Sequence, residues 1–273
     1  MSLDGRSESC LRTFADQGFD LQRPSDVTVI MPTAMRKTIT DSLRSVFRQD
    51  FAGRIQLLIG IDHPGEGIGL IEQACADRPS HCCVQVMYPG YSSSVRHGGL
   101  HPARDGGVLR CVLTYLANSR HVAYLDDDNW WAENHLSSMR KAIEGHDWAF
   151  SLRWFVHPDT RRRICLDRWE SVGPGKGVFS QNFGGWVDPN CLIYDKFACE
   201  QVVPLWNTPM PWDTRAMSGD RQVFGLLRHN PRFRPTNQPS VYYQLNADDP
   251  NHANRVQAIG SDYAKAGRQE TQA

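Results

Sequence analysis

Net charge is the first thing this chain lacks. Its 30 Lys and Arg are cancelled by 30 Asp and Glu, so there is no basic excess of the kind that nucleic acids or anionic membrane surfaces attract. Long apolar runs are missing too, and nothing approaches the ~20 residues of a membrane span. The opening stretch MSLDGRSESC has no apolar core of the kind a signal peptide needs. A soluble, cytoplasmic protein without nucleic-acid partners is the expectation. The eight cysteines, at 10, 75, 82, 83, 111, 165, 191 and 199, include no CxxC pair. Reduced thiols are therefore expected, not a disulfide framework or a zinc site. The ten histidines show no HExxH spacing, which excludes a zinc hydrolase of that type. No internal repeat or low-complexity linker divides the 273 residues, a length suited to one large domain or two small ones.

What is present is an alternation. Val27 to Met31 is a β-branched run closed by Pro32-Thr33, and Arg36 to Arg48 carries Ile39, Leu43, Val46 and Phe47 at helical spacing. Ile55 to Ile61 predicts a second strand, Ile68 to Ala76 a helix and Cys83 to Met87 a third strand. A long Gly-, Ser-, His- and Arg-rich loop from Pro89 to Gly107 precedes a helix over Val108 to Leu116 and a strand from His121 to Leu125. Strand–helix alternation implies an α/β fold with a parallel sheet. Beyond it, strands are expected at Trp148 to Val156, Cys191 to Tyr194 and Val241 to Leu245, and a helix over Ser218 to Arg228 capped by Ser218. Pro158 to Gly177 looks irregular. The expected organisation is a polar lead-in helix within 1–25, a domain over 26–247 with halves 26–130 and 131–247, and a polar tail over 248–273.

The run Asp126-Asp127-Asp128-Asn129 ends the buried segment HVAYL and precedes Trp130-Trp131 and a helix over Glu133 to Glu144. Adjacent carboxylates repel one another unless a cation or a solvated turn relieves them. At the carboxyl end of a parallel strand, where open α/β sheets bind ligands, such a cluster points to a metal–phosphate site. The plainer alternative is a helix cap or a solvated turn.

Three motifs in order carry a resemblance. VTVIMPT with Arg36 and SLRSVFRQ resembles the opening of the family-2 glycosyltransferases, whose first strand ends in Pro-Thr. YLDDDN resembles their metal-binding acidic motif, and SGDRQVFGLLRHNPRFRP their late helix bearing the catalytic base. Together these anchors span about residues 27 to 236. The resemblance implies a GT-A fold: a mostly parallel central sheet flanked by helices, with an acceptor-side lobe in the C-terminal half. It also implies inverting transfer of a sugar from a nucleotide diphosphate, a UDP- or dTDP-sugar, to an unknown hydroxyl acceptor (glycan, lipid-linked or small-molecule).

By the same matching, Asp128 is the ligand of Mn²⁺ or Mg²⁺, a hard cation that takes oxygen ligands and offsets the charge of a departing diphosphate. Asp127 would hold the ribose or the water shell of the metal, with Asp126 beside it. Asp62 would accept from the nucleobase, although IDHPG replaces the usual sequence there and leaves the base open. Thr33 would lie beside the nucleotide, and Arg104 and Arg221 would offer donors to the diphosphate. Asp220 would take the acceptor's proton, with Gly219 standing where the family usually has Glu. Trp186, after Gly184-Gly185, would stack on the acceptor sugar. Each has a local alternative: Asp62 as a turn residue, Asp220 as a first-turn acid, Trp186 as a core ring and the arginines as surface ion pairs.

Three other functions fit less of the sequence. A sugar nucleotidyltransferase should carry a glycine-rich, Arg-containing loop after its first strand, and PTAMRKT is not one. A dehalogenase-type phosphatase needs DxDxT on that strand, which is absent. A non-catalytic nucleotide-sugar-binding protein stays open, given Gly219 and IDHPG.

Overall fold

Apolar runs become the middle of a sheet. The computed structural model describes residues 11–63, 68–103, 106–210 and 219–268. Strand β1 (Leu11–Phe14) is followed by β2 (Val27–Thr33), helix α1 (Ile39–Phe47), β3 (Ile55–Ile61), α2 (Gly69–Cys75), β4 (Cys82–Met87), α3 (Gly107–Leu116) and β5 (His121–Tyr124). Every residue of β2 and β3 is buried. Strands buried on both faces need unbroken apolar composition, and VTVIMPT and IQLLIGI supply it. Their polar exceptions satisfy one another: Thr28 Oγ1 donates to Gln56 Oε1 at 2.8 Å, and Gln56 Nε2 donates to Gln85 Oε1 at 2.7 Å. Helix α1 buries Ile39, Leu43, Val46 and Phe47, one apolar stripe at the spacing the sequence predicts.

The second half contributes β6 (Trp130–Trp131), α4 (His135–Ile143), β7 (Trp148–Val156), β8 (Arg163–Leu166), β9 (Gly173–Pro174), α5 (Ser180–Phe183), β10 (Gly185–Trp186), β11 (Leu192–Asp195), α6 (Asp220–Leu227), β12 (Phe233–Gln244), α7 (His252–Ile259) and α8 (Ser261–Gly267). The main sheet runs β1-β4-β3-β2-β5-β11-β7-β12-β6, with β8 added on β7. Its centre, β4-β3-β2-β5, is parallel, as is the β7–β12 pair. Helices flank this α/β sheet, giving the expected layered architecture.

Several local expectations are corrected. The lead-in around residues 11–14 is an edge strand, antiparallel to β4, and not a helix. Strand β11, which follows the 3₁₀ turn Pro189–Cys191, enters antiparallel between β5 and β7. The stretch expected to be irregular contains β8 and β9, and the last strand starts at Phe233. The polar tail folds into α7 and α8, where Arg255 is buried. Ser218 lies outside the described residues. The described cysteines are free thiols, and among the described residues no helix is long and apolar enough to cross a membrane.

Parallel strands aim their carboxyl ends in one direction. Thr33, Asp62 and Asp126 therefore emerge along the same side of the sheet. Leu125 N bonds to Ile30 O at 3.0 Å and Asp62 N to Thr33 O at 2.9 Å, which ties the three ends together.

Candidate nucleotide and metal site

The three strand ends open into a cleft of about 190 Å³. Thr33, Asp62, Asp126, Asp127 and Asp128 all line it, so the structure brings together five of the residues singled out in the sequence. Arg36, Arg96, His97, Arg110 and Tyr243 line it as well. Arg104 lies outside the described residues.

Each acid of the run has a different environment. Asp126 accepts from the Arg110 guanidinium and from Asn190 Nδ2 at 2.9 Å. Its backbone N–H donates to Asn190 Oδ1 at 2.7 Å. Burial opposes its charge, yet Arg110 and Asn190 carry its pKa below the ordinary carboxylate value. Asp127 accepts from Thr33 Oγ1 at 2.6 Å and pairs with Arg36 Nε at 3.2 Å. Burial outweighs both contacts and pushes its carboxyl up. Asp128 meets the Arg36 Nη1 group and accepts from Asn129 Nδ2 at 3.0 Å. Burial and the neighbouring Asp126 and Asp127 overcome Arg36 and push it up to about 7. The run thus has an anchored member, Asp126, and a frustrated one, Asp128, whose charge the protein only half compensates.

That imbalance is the test of fit for a divalent cation. Among the described residues, no group of three His, Cys, Asp or Glu side chains is arranged to hold a metal alone. A hard cation bound through diphosphate needs only one or two carboxylates, with phosphate and water completing its shell. Asp128 would fit that role, because Arg36 compensates its carboxylate only in part and the side chain is 24 % exposed in the cleft. Arg36 now supplies part of that charge, bridging Asp127 and Asp128.

Thr33 and Asp62 have protein partners. The Thr33 hydroxyl, besides donating to Asp127, accepts from Met35 N at 2.7 Å, so it orients an acid of the run. Asp62 Oδ1 accepts from Ser93 N and Ser93 Oγ at 3.0 and 2.8 Å, and its Oδ2 accepts from Ser92 Oγ at 2.7 Å. Ser92 and Ser93, in the long loop expected to be functional, are thus tied to the cleft by the Asp62 carboxylate.

Two expected participants sit elsewhere. Trp186 is 5 % exposed, and the Arg153 and Arg221 guanidinium groups lie 5.3 and 4.4 Å from its ring centre. A ring so enclosed is a core ring and offers no face to a sugar. Gly185, at φ +96, approaches the backbone of Gly173 rather than a ligand. Arg221 lies against Phe179, Phe183 and Trp186, and burial lowers its pKa. It is a packing cation, away from the cleft lining. Asp220 opens α6, its Oδ1 accepting from Arg221 N at 2.7 Å. It is not among the cleft's described lining residues. Gly219 has a steric cause, since a Cβ there would fall 2.1 Å from the Trp206 carbonyl oxygen.

The sequence reading gave no role to the support behind Asp126. Arg153 is fully buried and donates to Asp167, Glu170 and Asp188 at 2.8, 2.7 and 2.5 Å. Asp188 in turn holds the amide of Asn190 at 2.7 Å, and Arg255 of α7 pairs with Glu170 at 2.9 Å. A chain of charged and polar groups thus runs from the C-terminal helices to the cleft. Two signals pointed to it: a lone Arg in the apolar strand WAFSLRWFV and a lone Arg in the apolar helix GVLRCVLTYL.

Comparison with solved structures places the architecture. TarS of S. aureus, in a 1–349 form in complex with UDP, superposes with a TM-score of 0.57 at 16% identity, covering 90% of this chain and 67% of that one. The same form in complex with UDP-GlcNAc gives 0.55 at 16% identity, covering 90% and 68%. The mannosyltransferase PcManGT from Pyrobaculum calidifontis, in complex with GDP-Man and Mn²⁺, gives 0.53 at 13% identity, covering 91% and 66%. No family model and no curated protein sequence matches the chain. The fold is thus that of the GT-A glycosyltransferases, as the sequence motifs imply.

Proposed function

We propose that this protein transfers a sugar from a nucleotide-diphosphate sugar to a hydroxyl acceptor, with inversion and with the help of a divalent cation. One observation carries this reading: the acidic run Asp126–Asp128 opens into a cleft shared with Asp62, Arg36 and Arg110. Solved proteins of this fold hold UDP, UDP-GlcNAc, or GDP-Man with Mn²⁺.

In this reading Asp62 accepts an N–H of the nucleobase on Oδ2, where Ser92 leaves a lone pair available. Uracil and thymine supply a suitable imide N–H, and guanine supplies one too. Arg36, Arg96 and Arg110 face the diphosphate, where guanidinium donors suit its oxygens. Asp128 holds the cation, with Asp127 at the ribose or the water shell of the metal and Asp126 fixing the run through Asn190. A bound Mn²⁺ or Mg²⁺ supplies Lewis-acid stabilisation of the leaving diphosphate. Asp220 takes the proton of the acceptor hydroxyl as that oxygen bonds to C1. The C1–O bond to phosphate breaks on the opposite face, and its electron pair leaves with the diphosphate.

The test is nucleotide release from a panel of UDP-, dTDP- and GDP-sugars with Mn²⁺ and a mixed-acceptor pool. The wild type should release one nucleotide, and Asp220→Asn should bind it equally well but release it at least ~100-fold more slowly. Binding without release by the wild type would favour the binding-protein alternative. Full turnover by Asp220→Asn would remove that residue from the mechanism.

A further inference from the structure

A second recess, larger than the cleft at about 990 Å³, runs beside α1. Asp41, Arg44 and Arg48 line it, together with Trp130, Tyr242 and Glu133. The nucleotide reading uses none of these residues.

Three features distinguish the recess from an ordinary solvated groove. First, Trp130 and Tyr242 are paired across β6 and β12, and their rings stack at 5.7 Å with planes 19° apart. Arg161 reaches over the Trp130 ring at 4.3 Å and binds Asp41 at 2.5 Å. It does so from φ +57, a conformation that non-glycine residues seldom adopt and that tends to occur at functional sites. Second, Arg44, Arg48, Asp50 and Glu133 all line the recess, yet among the described residues none of the four makes an ion pair. Donors and acceptors are presented together without cancelling one another. Third, the lining carries three arginines and three acids, so its formal charge is balanced and selects neither an anion nor a cation.

Balanced planar donors and acceptors beside an aromatic pair are the chemistry of saccharide recognition. Vicinal hydroxyls accept hydrogen bonds from guanidinium groups and donate them to carboxylates, and aromatic surface covers the apolar C–H faces of a sugar. The position also fits. Trp130 lies two residues beyond Asp128, and Tyr243, next to Tyr242, lines the cleft. Neighbouring strand residues face opposite sides, and β6 is the last strand of the sheet. Recess and cleft therefore draw on consecutive residues of the chain near this edge, Trp130 and Tyr242 for the one, Asp128, Asn129 and Tyr243 for the other.

We propose that the recess binds a neutral oligosaccharide, the glycan that accepts the transferred sugar. The acceptor role rests on the transferase reading, whereas saccharide binding does not. The test is isothermal titration of the whole chain with neutral hexasaccharides of glucose, mannose, galactose and N-acetylglucosamine, run beside a UDP titration. At least one glycan should bind the wild type. Trp130→Ala and the surface pair Arg44→Ala/Arg48→Ala should each weaken it about 10-fold or more, the loss of one or two good contacts, while UDP affinity stays unchanged. The arginine pair guards against a folding defect in Trp130→Ala. Absence of binding by every glycan up to ~10 mM, a standard free energy near −3 kcal/mol, would overturn the proposal, as would wild-type affinity in both variants. Glycan binding without nucleotide binding would leave the recess assignment standing and remove the transferase reading; the converse would do the opposite.

Discussion

Replacing Asp128 by asparagine should make the protein more stable at pH 8, by a margin that shrinks in acid. The Asp128 carboxyl is pushed from the ordinary 3.8 to about 7 by burial and by Asp126 and Asp127. A displacement of that size corresponds to on the order of 4 kcal/mol between the two protonation states. This is an upper bound, because the side chain is 24 % exposed and Arg36 shares its charge with Asp127. A carboxyl whose folded pKa lies above its unfolded one stabilises the fold below the unfolded value, near pH 4. That contribution is lost as pH rises through about 7. Asparagine cannot ionise, so the variant escapes the loss. Urea denaturation of both proteins at pH 4.5 and pH 8 measures the effect, and comparison at each pH cancels the other titrating groups. The variant should lead by ~2–4 kcal/mol at pH 8 and by less than about 1 kcal/mol at pH 4.5. An equal gap at both pH values, or a less stable variant at pH 8, would refute the assignment of Asp128 as the frustrated acid.

Two further substitutions probe the surroundings. Arg153→Met leaves Asp167, Glu170 and Asp188 without their central cation, and should cost about 3–5 kcal/mol in urea denaturation. Gly219→Glu, which introduces the residue usual in the glycosyltransferase motif that this helix resembles, should lower the melting temperature and not raise activity. The new Cβ would lie 2.1 Å from the Trp206 carbonyl, an overpacking worth roughly 1–3 kcal/mol; an unchanged melting curve would contradict the steric account of Gly219.

The parallel core was legible because β2 and β3 are buried on both faces, and such strands are written as uninterrupted apolar runs. The acidic run was legible because three adjacent carboxylates need an explanation. Strand direction was not: LIYD looks the same parallel or antiparallel, and only its pairing with β5 and β7 in the fold shows which it is. Nor was β1, a four-residue edge strand with three exposed side chains and no apolar alternation. The support behind the site stayed hidden for another reason. Asp167, Glu170, Asp188 and Arg255 are scattered along the chain, and their meeting around Arg153 exists only in the fold. Trp186 was misread because an aromatic after two glycines looks like an exposed platform, whereas here it fills the space between two arginines.

Calorimetric titration of UDP and GDP, with and without Mn²⁺, into the wild type and Asp128→Ala tests the central claim most directly. One nucleotide should bind the wild type with an affinity that Mn²⁺ raises about 10-fold or more, a gain of ~1.4 kcal/mol, and Asp128→Ala should lose that gain while keeping its fold. Binding indifferent to Mn²⁺ in the wild type, or an undiminished Mn²⁺ effect in Asp128→Ala, would contradict a cation held by Asp128 against a diphosphate.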